Sequence, residues 1–330
     1  MPARIINNFF KFFGIQLKKI KALEIERNHY VKIINGAACI LEVYKKYEGR
    51  ILNEELAGLV FSKDRAMQLH ALLTSYFEKV QNFCPLSILY KTTNEKSRQS
   101  YEVLKMEFSA FPIRFIEENI FNEQVKVWLA TQSADRIFFM TDDAIFLDAF
   151  DMKDALLFNP LNEIVSLTKG KDLQYCFTKN VKQELPAFDN VLQLNGKSFN
   201  SWRWGDCPRS HDWAYPLSVD GTFFLREEML KLVENISFKN PNTLEANMQL
   251  FRSFFLQRKG VCYDKVKMIN VPCNLVQNEF NNRSTGFFKA EELQSLWDKG
   301  KRIDVKMFYG LSAFEAEHAK YNFIQNIWQN

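Results

Sequence analysis

Strands that alternate with helices are the feature that most narrows the folds open to this 330-residue chain. Apolar runs typical of buried strands lie at residues 56–61, 86–90, 113–116 and 136–140. The intervals between them carry the spacing of apolar and charged residues that is typical of helices. Successive strand–helix–strand units join parallel strands, so the pattern predicts an α/β fold with a mostly parallel, doubly wound sheet flanked by helices.

Polar loops follow three of these strands, at residues 62–65, 91–96 and 141–143. Ligands of open α/β sheets bind beyond the carboxyl ends of the strands, so we expect the three loops to converge on one crevice. None of the loops has the Gly-x-Gly-x-x-Gly or Gly-x-x-x-x-Gly-Lys pattern of phosphate-binding loops. This absence argues against a dinucleotide-binding dehydrogenase and against a P-loop NTPase.

The charge balance and the cysteines restrict the partners and the compartment. Lys and Arg number 43 against 39 Asp and Glu, and a net charge of +4 does not indicate nucleic acid as a partner. The 6 cysteines are scattered without a Cys-x-x-Cys pair, so neither a zinc site nor a disulfide framework is predicted. Reduced thiols in the cytoplasm are the expectation.

The amino-terminal region raises the question of a membrane. No run approaches the roughly 20 apolar residues of a transmembrane helix, and no signal-peptide pattern is present. Residues 9–21 nevertheless combine four phenylalanines with four lysines, a pattern typical of segments that lie on anionic bilayers. Peripheral contact with the inner face of a membrane is one interpretation, and a helix packed on the domain is the other.

Two adjacent aspartates, Asp142 and Asp143, stand between the apolar residues 138–140 and 144–147. Burying two carboxylates is costly unless something neutralises them. A divalent ion is a natural partner, because Mg²⁺ and Mn²⁺ take oxygen ligands and often need only one or two from the protein. The alternative is a pair of acidic turn residues after a strand.

The run Thr141-Asp142-Asp143 after an apolar strand resembles the signature of the GT-A glycosyltransferases. The resemblance implies a GT-A fold, with Asp143 on the metal and Asp142 on the donor's ribose or sugar, or sharing the metal. It also implies a nucleoside-diphosphate sugar as donor, a UDP-sugar first of all, and Mn²⁺ or Mg²⁺ as cofactor. Ala144 departs from the version of the signature that has a third acidic residue.

The first polar loop, Ser62-Lys63-Asp64-Arg65, resembles the nucleotide-facing loop of bacterial GT-A enzymes. The resemblance implies that Lys63 and Arg65 meet phosphate or base, and that Asp64 binds the base or orients Arg65. Ser62 and Tyr90, which ends the second strand, are assigned to the same donor site. The alternative is a solvated loop that caps the next helix.

Two later acids complete the predicted site. Asp220, followed by Gly221 between two apolar halves, resembles the GT-A segment that passes beneath the donor sugar, although Asp-Gly is also a common hairpin turn. Glu245 lies at a predicted helix start, where the resemblance implies the catalytic base of an inverting enzyme. Glu245 would equally complete a capping box with Asn242 as the N-cap.

Further candidates are Arg283, in a polar loop that resembles one closing over the diphosphate, and His211, Asp212 and Trp213, which would line the sugar site. The alternatives are a surface arginine and a structural histidine. A group of tryptophans would either stack on an acceptor sugar or fill the core: Trp202, Trp204 and Trp213.

Four segments are predicted from these features. They are a helical extension at 1–55, a nucleotide-sugar-binding half at 56–160, an acceptor-binding half at 161–285 and a helical tail at 286–330. The resulting hypothesis is a metal-dependent, inverting transfer of a sugar to a glycan or glycolipid hydroxyl. The alternatives are a sugar-phosphate nucleotidyltransferase, whose Gly-rich first loop is missing here, and a non-catalytic carbohydrate-binding protein with the same fold.

Overall fold

The structure is a computed structural model, and it describes residue 27, residues 30–273 and residues 285–326. Its helices are α1 (30–47), α2 (Ala66–Lys79), α3 (Glu95–Glu107), α4 (Phe121–Thr131), α5 (Arg226–Glu234), α6 (Pro241–Met248), α7 (Arg252–Phe255), α8 (Ala290–Asp298) and α9 (Ala313–Glu317). Within these ranges, no helix is long and apolar enough to cross a bilayer. The segment 9–21, for which membrane contact is predicted, lies outside the described residues.

The strands form one large sheet, a second four-stranded sheet and several two-stranded pairs. They are β1 (Leu56–Lys63), β2 (Val80–Gln81), β3 (Leu86–Lys91), β4 (Ile113–Glu117), β5 (Arg136–Thr141), β6 (Ala144–Phe146), β7 (Phe150–Asp151), β8 (Glu163–Val165), β9 (Tyr175–Cys176), β10 (Val181–Lys182), β11 (Asn190–Leu194), β12 (Lys197–Arg203), β13 (Phe223–Leu225), β14 (Lys259–Cys262), β15 (Met268–Asn270), β16 (Lys301–Ile303) and β17 (Phe323–Gln325).

The large sheet has the strand order β13-β5-β1-β3-β4. Strands β5, β1, β3 and β4 are parallel, and β13 pairs antiparallel with β5. Helices α2, α3 and α4 connect the parallel strands in turn. The prediction of a mostly parallel α/β sheet flanked by helices is therefore confirmed, and β1 lies at its centre.

Strand β1 continues two residues beyond the apolar run from which it was predicted. Ser62 pairs with Tyr90 and Lys63 with Lys91, so the ladder extends into the polar loop. Helix α3 begins inside the polar loop predicted at 91–96, because the Asn94 side chain accepts a hydrogen bond from the Ser97 backbone N–H and caps the helix at Glu95. Neighbouring strands and caps set both boundaries.

The second sheet, of order β11-β12-β14-β8, packs its aromatic side chains into the same hydrophobic core as the large sheet. The three tryptophans Trp202, Trp204 and Trp213 are fully buried, and their rings contact one another at centroid distances of 4.7 and 4.9 Å. The core-filling interpretation is thus correct, and the prediction that these rings stack on an acceptor sugar is wrong. Such a platform would need an exposed ring face.

Candidate functional site

The three predicted loops do converge at the carboxyl edge of the large sheet. Asp64 joins the first two, because its carboxylate accepts hydrogen bonds from the backbone N–H and the hydroxyl of Thr93, both at 2.8 Å. Asp64 has a φ of 52°, a left-handed conformation that aspartate tolerates better than most residues. Arg65 joins the first loop to the third through an ion pair with Asp142 at 3.0 Å.

Asp142 is a buried carboxylate that holds the first loop in place. It accepts hydrogen bonds from the Ser62 hydroxyl at 2.9 Å and from the Lys63 backbone N–H at 3.2 Å, besides the bond from Arg65. Tyr101 from α3 supports this arrangement with its hydroxyl 2.5 Å from that of Ser62. Burial raises the pKa of Asp142 to about 6, while Arg65 lowers it and the neighbouring Asp143 raises it.

Asp143 is more accessible, and it belongs to a second cluster as well. Its carboxylate contacts Arg65 at 3.2 Å, the Thr141 hydroxyl at 2.9 Å and the Asn270 amide at 3.2 Å. The same Thr141 hydroxyl lies 2.8 Å from a carboxylate oxygen of Asp220. Asp143 and Asp220 therefore approach one hydroxyl from two sides, and a single hydroxyl proton satisfies only one of them at a time.

Asp220 and Gly221 do not form a hairpin turn between two strands. Of the two apolar halves that flank this pair, only the second contains a strand, Phe223–Leu225. Gly221 donates its backbone N–H to the Phe139 carbonyl at 2.9 Å. This places the Asp220 carboxylate beside the end of β5. Burial raises the pKa of Asp220, and the charge of Asp143 raises it further, whereas the bonds from Asn270 and Thr141 lower it.

Glu245 lies in the second turn of α6 and is not part of its cap. The N-cap is Asn240, which accepts a hydrogen bond from the backbone of Thr243, and Thr243 completes the capping box. The alternative with Asn242 as N-cap is therefore wrong. The Glu245 carboxylate instead accepts a hydrogen bond from the Val219 backbone N–H at 2.9 Å.

The environment of Glu245 suits a proton acceptor. Burial raises its pKa to about 7, and the charge of Asp220 adds to this. The hydrogen bonds from Val219 and Tyr215 and the charge of Lys169 act in the opposite direction. A carboxylate with a pKa near neutrality is half ionised at the pH of the cell and can take up and release a proton there.

The donor set around Asp143 fits a hard divalent ion. Arg65 pairs with Asp142 and Asp143, whereas Asp220, which shares the Thr141 hydroxyl with Asp143, forms no ion pair among the described residues, so negative charge is in excess. Within the described ranges, no three His, Cys, Asp or Glu side chains form a metal site by themselves. Mg²⁺ and Mn²⁺ sites that bridge phosphates often use only one or two carboxylates, so Asp143 with its neighbour is a sufficient protein contribution.

Several predicted residues make their hydrogen bonds to other parts of the fold rather than to these aspartates. The Tyr90 ring is buried and stacks on Tyr101, and its hydroxyl accepts a hydrogen bond from Lys105 at 2.9 Å. Asp212 accepts a hydrogen bond from the Gln183 amide at 2.9 Å, and the Trp213 indole donates to the Leu173 carbonyl at 3.1 Å. These bonds hold the fold together, so Tyr90 and Trp213 offer no surface to a donor or a sugar.

The three remaining predicted residues are Lys63, His211 and Arg283, and the structure describes the first two of them. Lys63 is exposed, and among the described residues no ion pair engages its ammonium group. His211 is half-buried beside Asp212. Arg283 lies outside the described residues.

Asn270 and Lys169 were not identified from the sequence. Asn270 ends β15, which pairs with β6, so that it lies opposite Ala144 and its amide donates to the Thr141 hydroxyl at 2.8 Å. The sequence signal that could have identified Asn270 is a polar residue at the end of an apolar strand, the same kind of signal that identified Asp142. Lys169 follows β8 in a stretch of mixed polar and apolar residues that matches no motif.

A parallel sheet whose carboxyl edge holds a paired aspartate, an arginine and a glutamate of raised pKa is the α/β arrangement predicted for a GT-A protein. The chain is similar in sequence to the bifunctional glycosyltransferase pgtA of Dictyostelium discoideum, at 24% identity over 257 residues. The match covers 68% of this chain and 32% of that protein, so the chain spans about a third of its relative's length. The predicted resemblance to glycosyltransferases is thereby confirmed.

Solved structures and family models add the following. The S. aureus TarS 1–349 structure in complex with UDP-GlcNAc matches with a TM-score of 0.42 and 14% identity, over 65% of this chain and 57% of that one. A nucleotidyl transferase from Methanothermobacter thermautotroptrophicus matches with a TM-score of 0.35 and 9% identity, over 64% of this chain and 89% of that one. No protein-family model matches the chain.

Proposed function

We propose that this chain transfers a sugar from a nucleoside-diphosphate donor, with uridine as the first base to test, to a hydroxyl group of a glycan or glycolipid acceptor. The sequence similarity to a glycosyltransferase supports the class of reaction. The observation that carries the proposal is the position of Glu245, whose carboxylate accepts a hydrogen bond from Val219, the residue before Asp220, and whose pKa is raised to about 7. In this proposal Glu245 is the proton acceptor, and the neighbouring aspartates belong to the site of the diphosphate.

On the donor side, Asp142 keeps Arg65 and the backbone of Lys63 at the edge of the sheet. In this proposal the Lys63 ammonium and the Arg65 guanidinium meet the diphosphate, whose charge matches theirs. A divalent ion held by Asp143, when bound, would stabilise the charge of the departing diphosphate. Asp220 would accept hydrogen bonds from the hydroxyls of the donor sugar.

On the acceptor side, Glu245 takes the proton of the attacking hydroxyl. The acceptor oxygen forms a bond to the anomeric carbon as the bond from that carbon to the diphosphate oxygen breaks, and the configuration inverts. The Val219 backbone N–H and the Tyr215 hydroxyl hold the carboxylate in position for this step. Positioned proton transfer of this kind typically contributes about 10² to 10⁴-fold.

In this proposal the two sides fall in different segments of the predicted division of the chain. Arg65, Asp142 and Asp143 belong to the segment 56–160, proposed as the donor half. Asp220 and Glu245 belong to the segment 161–285, proposed as the acceptor half, and Asn270 from that segment connects to Asp143. The proposed site therefore lies where the two segments meet.

A thermal-shift screen tests the proposal directly. Nucleoside-diphosphate sugars are added to the full chain with and without Mn²⁺, because a ligand that binds the folded state raises the melting temperature. We expect at least one donor to raise it, and to raise it more with Mn²⁺. If no nucleoside diphosphate or nucleotide sugar binds under either condition, as titration calorimetry would establish, the chain is not a glycosyltransferase of this type.

A further inference from the structure

The segment that follows β8 carries a buried lysine next to the proposed acceptor side. Lys169 is only 6% exposed, and its ammonium donates one hydrogen bond, to the Thr168 hydroxyl at 3.1 Å. Among the described residues, no carboxylate forms an ion pair with it within 4.0 Å. A buried positive charge without a direct counter-charge is costly, so the site is incomplete as it stands.

The backbone fixes where this lysine lies. Leu167 donates its N–H to the Gly221 carbonyl at 2.9 Å and accepts hydrogen bonds from the N–H groups of Lys267 and Met268. The segment is thus clamped between the residue after Asp220 and the strand that ends in Asn270. Gly170 packs so closely that an added Cβ would lie 2.3 Å from the Val266 backbone nitrogen. Lys169 is therefore held rigidly behind the proposed site.

A second observation points to a ligand. Ser166 pairs with Thr222 in an antiparallel bridge, which puts their side chains on the same side. The Ser166 hydroxyl contacts the Thr168 hydroxyl at 3.2 Å, and Thr168 contacts Lys169. The Thr222 hydroxyl is 1% exposed and makes no hydrogen bond within the described part of the chain. The Thr222 hydroxyl, a buried donor without an acceptor among the described residues, is thus linked to the Lys169 ammonium through the neighbouring Ser166 and Thr168 hydroxyls.

The charges nearby do not supply the missing anion. Cys262 feels the field of Lys169, but burial raises the pKa of its thiol so far that it stays neutral. Glu245 also feels this field, which lowers its pKa, yet its carboxylate makes no ion pair with Lys169. Lys169 is close enough to the proposed base to sense its charge, and it still has capacity to bind an anion of its own.

We propose that Lys169, assisted by the Thr222 hydroxyl, binds an anionic group, a phosphate or a carboxylate, carried by the acceptor sugar. The inference rests on the proposed function, because Glu245 defines which side is the acceptor's. Lysine suits this task as a compact charge whose three N–H donors are satisfied by phosphate or carboxylate oxygens. The donor diphosphate belongs to Arg65 and Asp143, so the enzyme would distinguish a charged acceptor from a neutral one.

Titration calorimetry on the full chain tests this inference. Glucuronate and glucose 6-phosphate are the anionic probes, glucose is the neutral probe, and uridine diphosphate with Mn²⁺ is titrated separately. We expect the anionic sugars to bind at least about tenfold more tightly than glucose, and Lys169→Met to abolish that preference, since a hydrogen bond to a charged group contributes this much. Uridine diphosphate should bind Lys169→Met within about twofold of the unchanged chain.

Lys171→Met is the matched control. Lys171 lies two residues further on, exposed and paired with Asp264 at 2.6 Å, so its loss should leave the preference for anionic sugars intact. Equal binding of glucose and the anionic sugars by the unchanged chain would overturn the inference. Two results with Lys169→Met would also overturn it. If the variant lost affinity for uridine diphosphate as much as for the anionic sugars, the lysine would belong to the donor site. If the variant kept the preference for anionic sugars, the lysine would not be their binding group.

Two further measurements cover the case in which Lys169→Met does not fold. Thr222→Val removes only the idle hydroxyl and should reduce the preference for anionic sugars by about threefold or more. In the unchanged chain, glucose 6-phosphate should slow hydrogen exchange in residues 163–173, whereas glucose should not. No change in either measurement contradicts the inference. Failure of uridine diphosphate to bind, with sugar phosphate still bound, would instead contradict the proposed function.

Discussion

Asp142 and Asp143 are adjacent in the chain but occupy different environments. Asp142 is buried under hydrogen bonds from Ser62, Lys63 and Arg65, so its role within the protein is to hold the first loop against the sheet. Asp143 is partly exposed and shares a hydrogen-bond partner, the Thr141 hydroxyl, with Asp220. At the scale of residues, we therefore propose that Asp143, rather than Asp142, exchanges its hydrogen-bond partners for a metal ion.

Replacing Asp143 by Asn should lower turnover by about 100-fold or more, because one preorganised electrostatic contact commonly contributes that much. The affinity for Mn²⁺ in the presence of uridine diphosphate should fall as well, measured by calorimetry. Asp264→Asn is the control, since Asp264 is exposed and pairs with the solvent-accessible Lys171. Normal turnover in Asp143→Asn would remove this residue from the proposed metal site.

Glu245→Gln should lower kcat by at least about 100-fold if Glu245 is the base. For the unchanged chain, kcat/KM should rise with pH and level off above about 7, because only the ionised carboxylate accepts a proton and its pKa is about 7. Glu163→Gln, another half-buried carboxylate with a raised pKa, is the control and should leave turnover unchanged. Turnover of Glu245→Gln within tenfold of normal would mean that the base lies elsewhere or that the enzyme is retaining.

The same pKa shift predicts an effect on stability. The folded chain keeps a proton on Glu245 up to a pH of about 7, whereas the unfolded chain loses it near the ordinary value of 4.5. Stability therefore falls as the pH rises through this window. The glutamine of Glu245→Gln cannot ionise, so its unfolding free energy lacks this pH dependence. The unfolding free energy of the variant minus that of the unchanged chain should therefore increase by roughly 1–3 kcal/mol between pH 4.5 and 8 in urea titrations. A constant difference between the two proteins would contradict the shift.

At the scale of elements, α6 decides where Glu245 points. Its capping box, formed by Asn240 and Thr243, fixes the first turn, and Gln249 ties the other end to the Leu217 carbonyl at 2.7 Å. The helix is short, so a loosened first turn would move the carboxylate in the second. The same logic applies to the first loop, where the bond from Thr93 to Asp64 holds the turn that carries Arg65.

Removing the cap should therefore affect both stability and activity. Asn240→Ala should cost about 1 kcal/mol of unfolding free energy and also lower kcat, because Glu245 loses its fixed orientation. Ser312→Ala removes a comparable capping box from α9 and should cost a similar amount with kcat unchanged. Chemical denaturation and steady-state kinetics on the two variants separate the effects. A kcat of Asn240→Ala equal to that of Ser312→Ala would show that α6 needs no cap to orient the base.

At the scale of the whole molecule, the carboxyl-terminal described segment is part of the same core as the sheets. Trp297, Ile303 and Phe308 are buried within it. Arg302 lies over the Trp297 ring at 3.4 Å and pairs with Glu107 of α3 at 2.9 Å, with almost no exposure of its side chain. This buried ion pair fastens the segment to the helix that also supports Ser62 through Tyr101.

Breaking that pair should destabilise the protein strongly. Glu107→Gln leaves the Arg302 charge buried and uncompensated, at a cost of about 3–5 kcal/mol. Glu102→Gln on the same helix breaks only the exposed pair with Lys105 and should cost less than about 1 kcal/mol. Urea unfolding of the two variants provides the comparison. Similar losses would mean that the Arg302 charge finds another partner or reaches water.

Much of the architecture followed from the sequence alone. The order of strands and helices, the parallel pairing and the convergence of three loops were all predictable, because hydrophobic periodicity is local and parallel strands present their carboxyl ends at one edge. The boundaries shifted where a neighbouring strand or a cap extended an element, as at Lys63 and Asn94.

Only the tertiary structure decided how the site is connected. Asn270 meets Thr141 from 129 residues away, and the segment of Lys169 is bonded through Leu167 to Gly221, the residue after Asp220. The local sequence pattern likewise did not determine that the three tryptophans are buried, or that Glu245 takes no part in the capping box of α6. The physical reason is that burial and hydrogen-bond partnership depend on which distant segments pack together, and a motif's spacing along the chain carries no record of that.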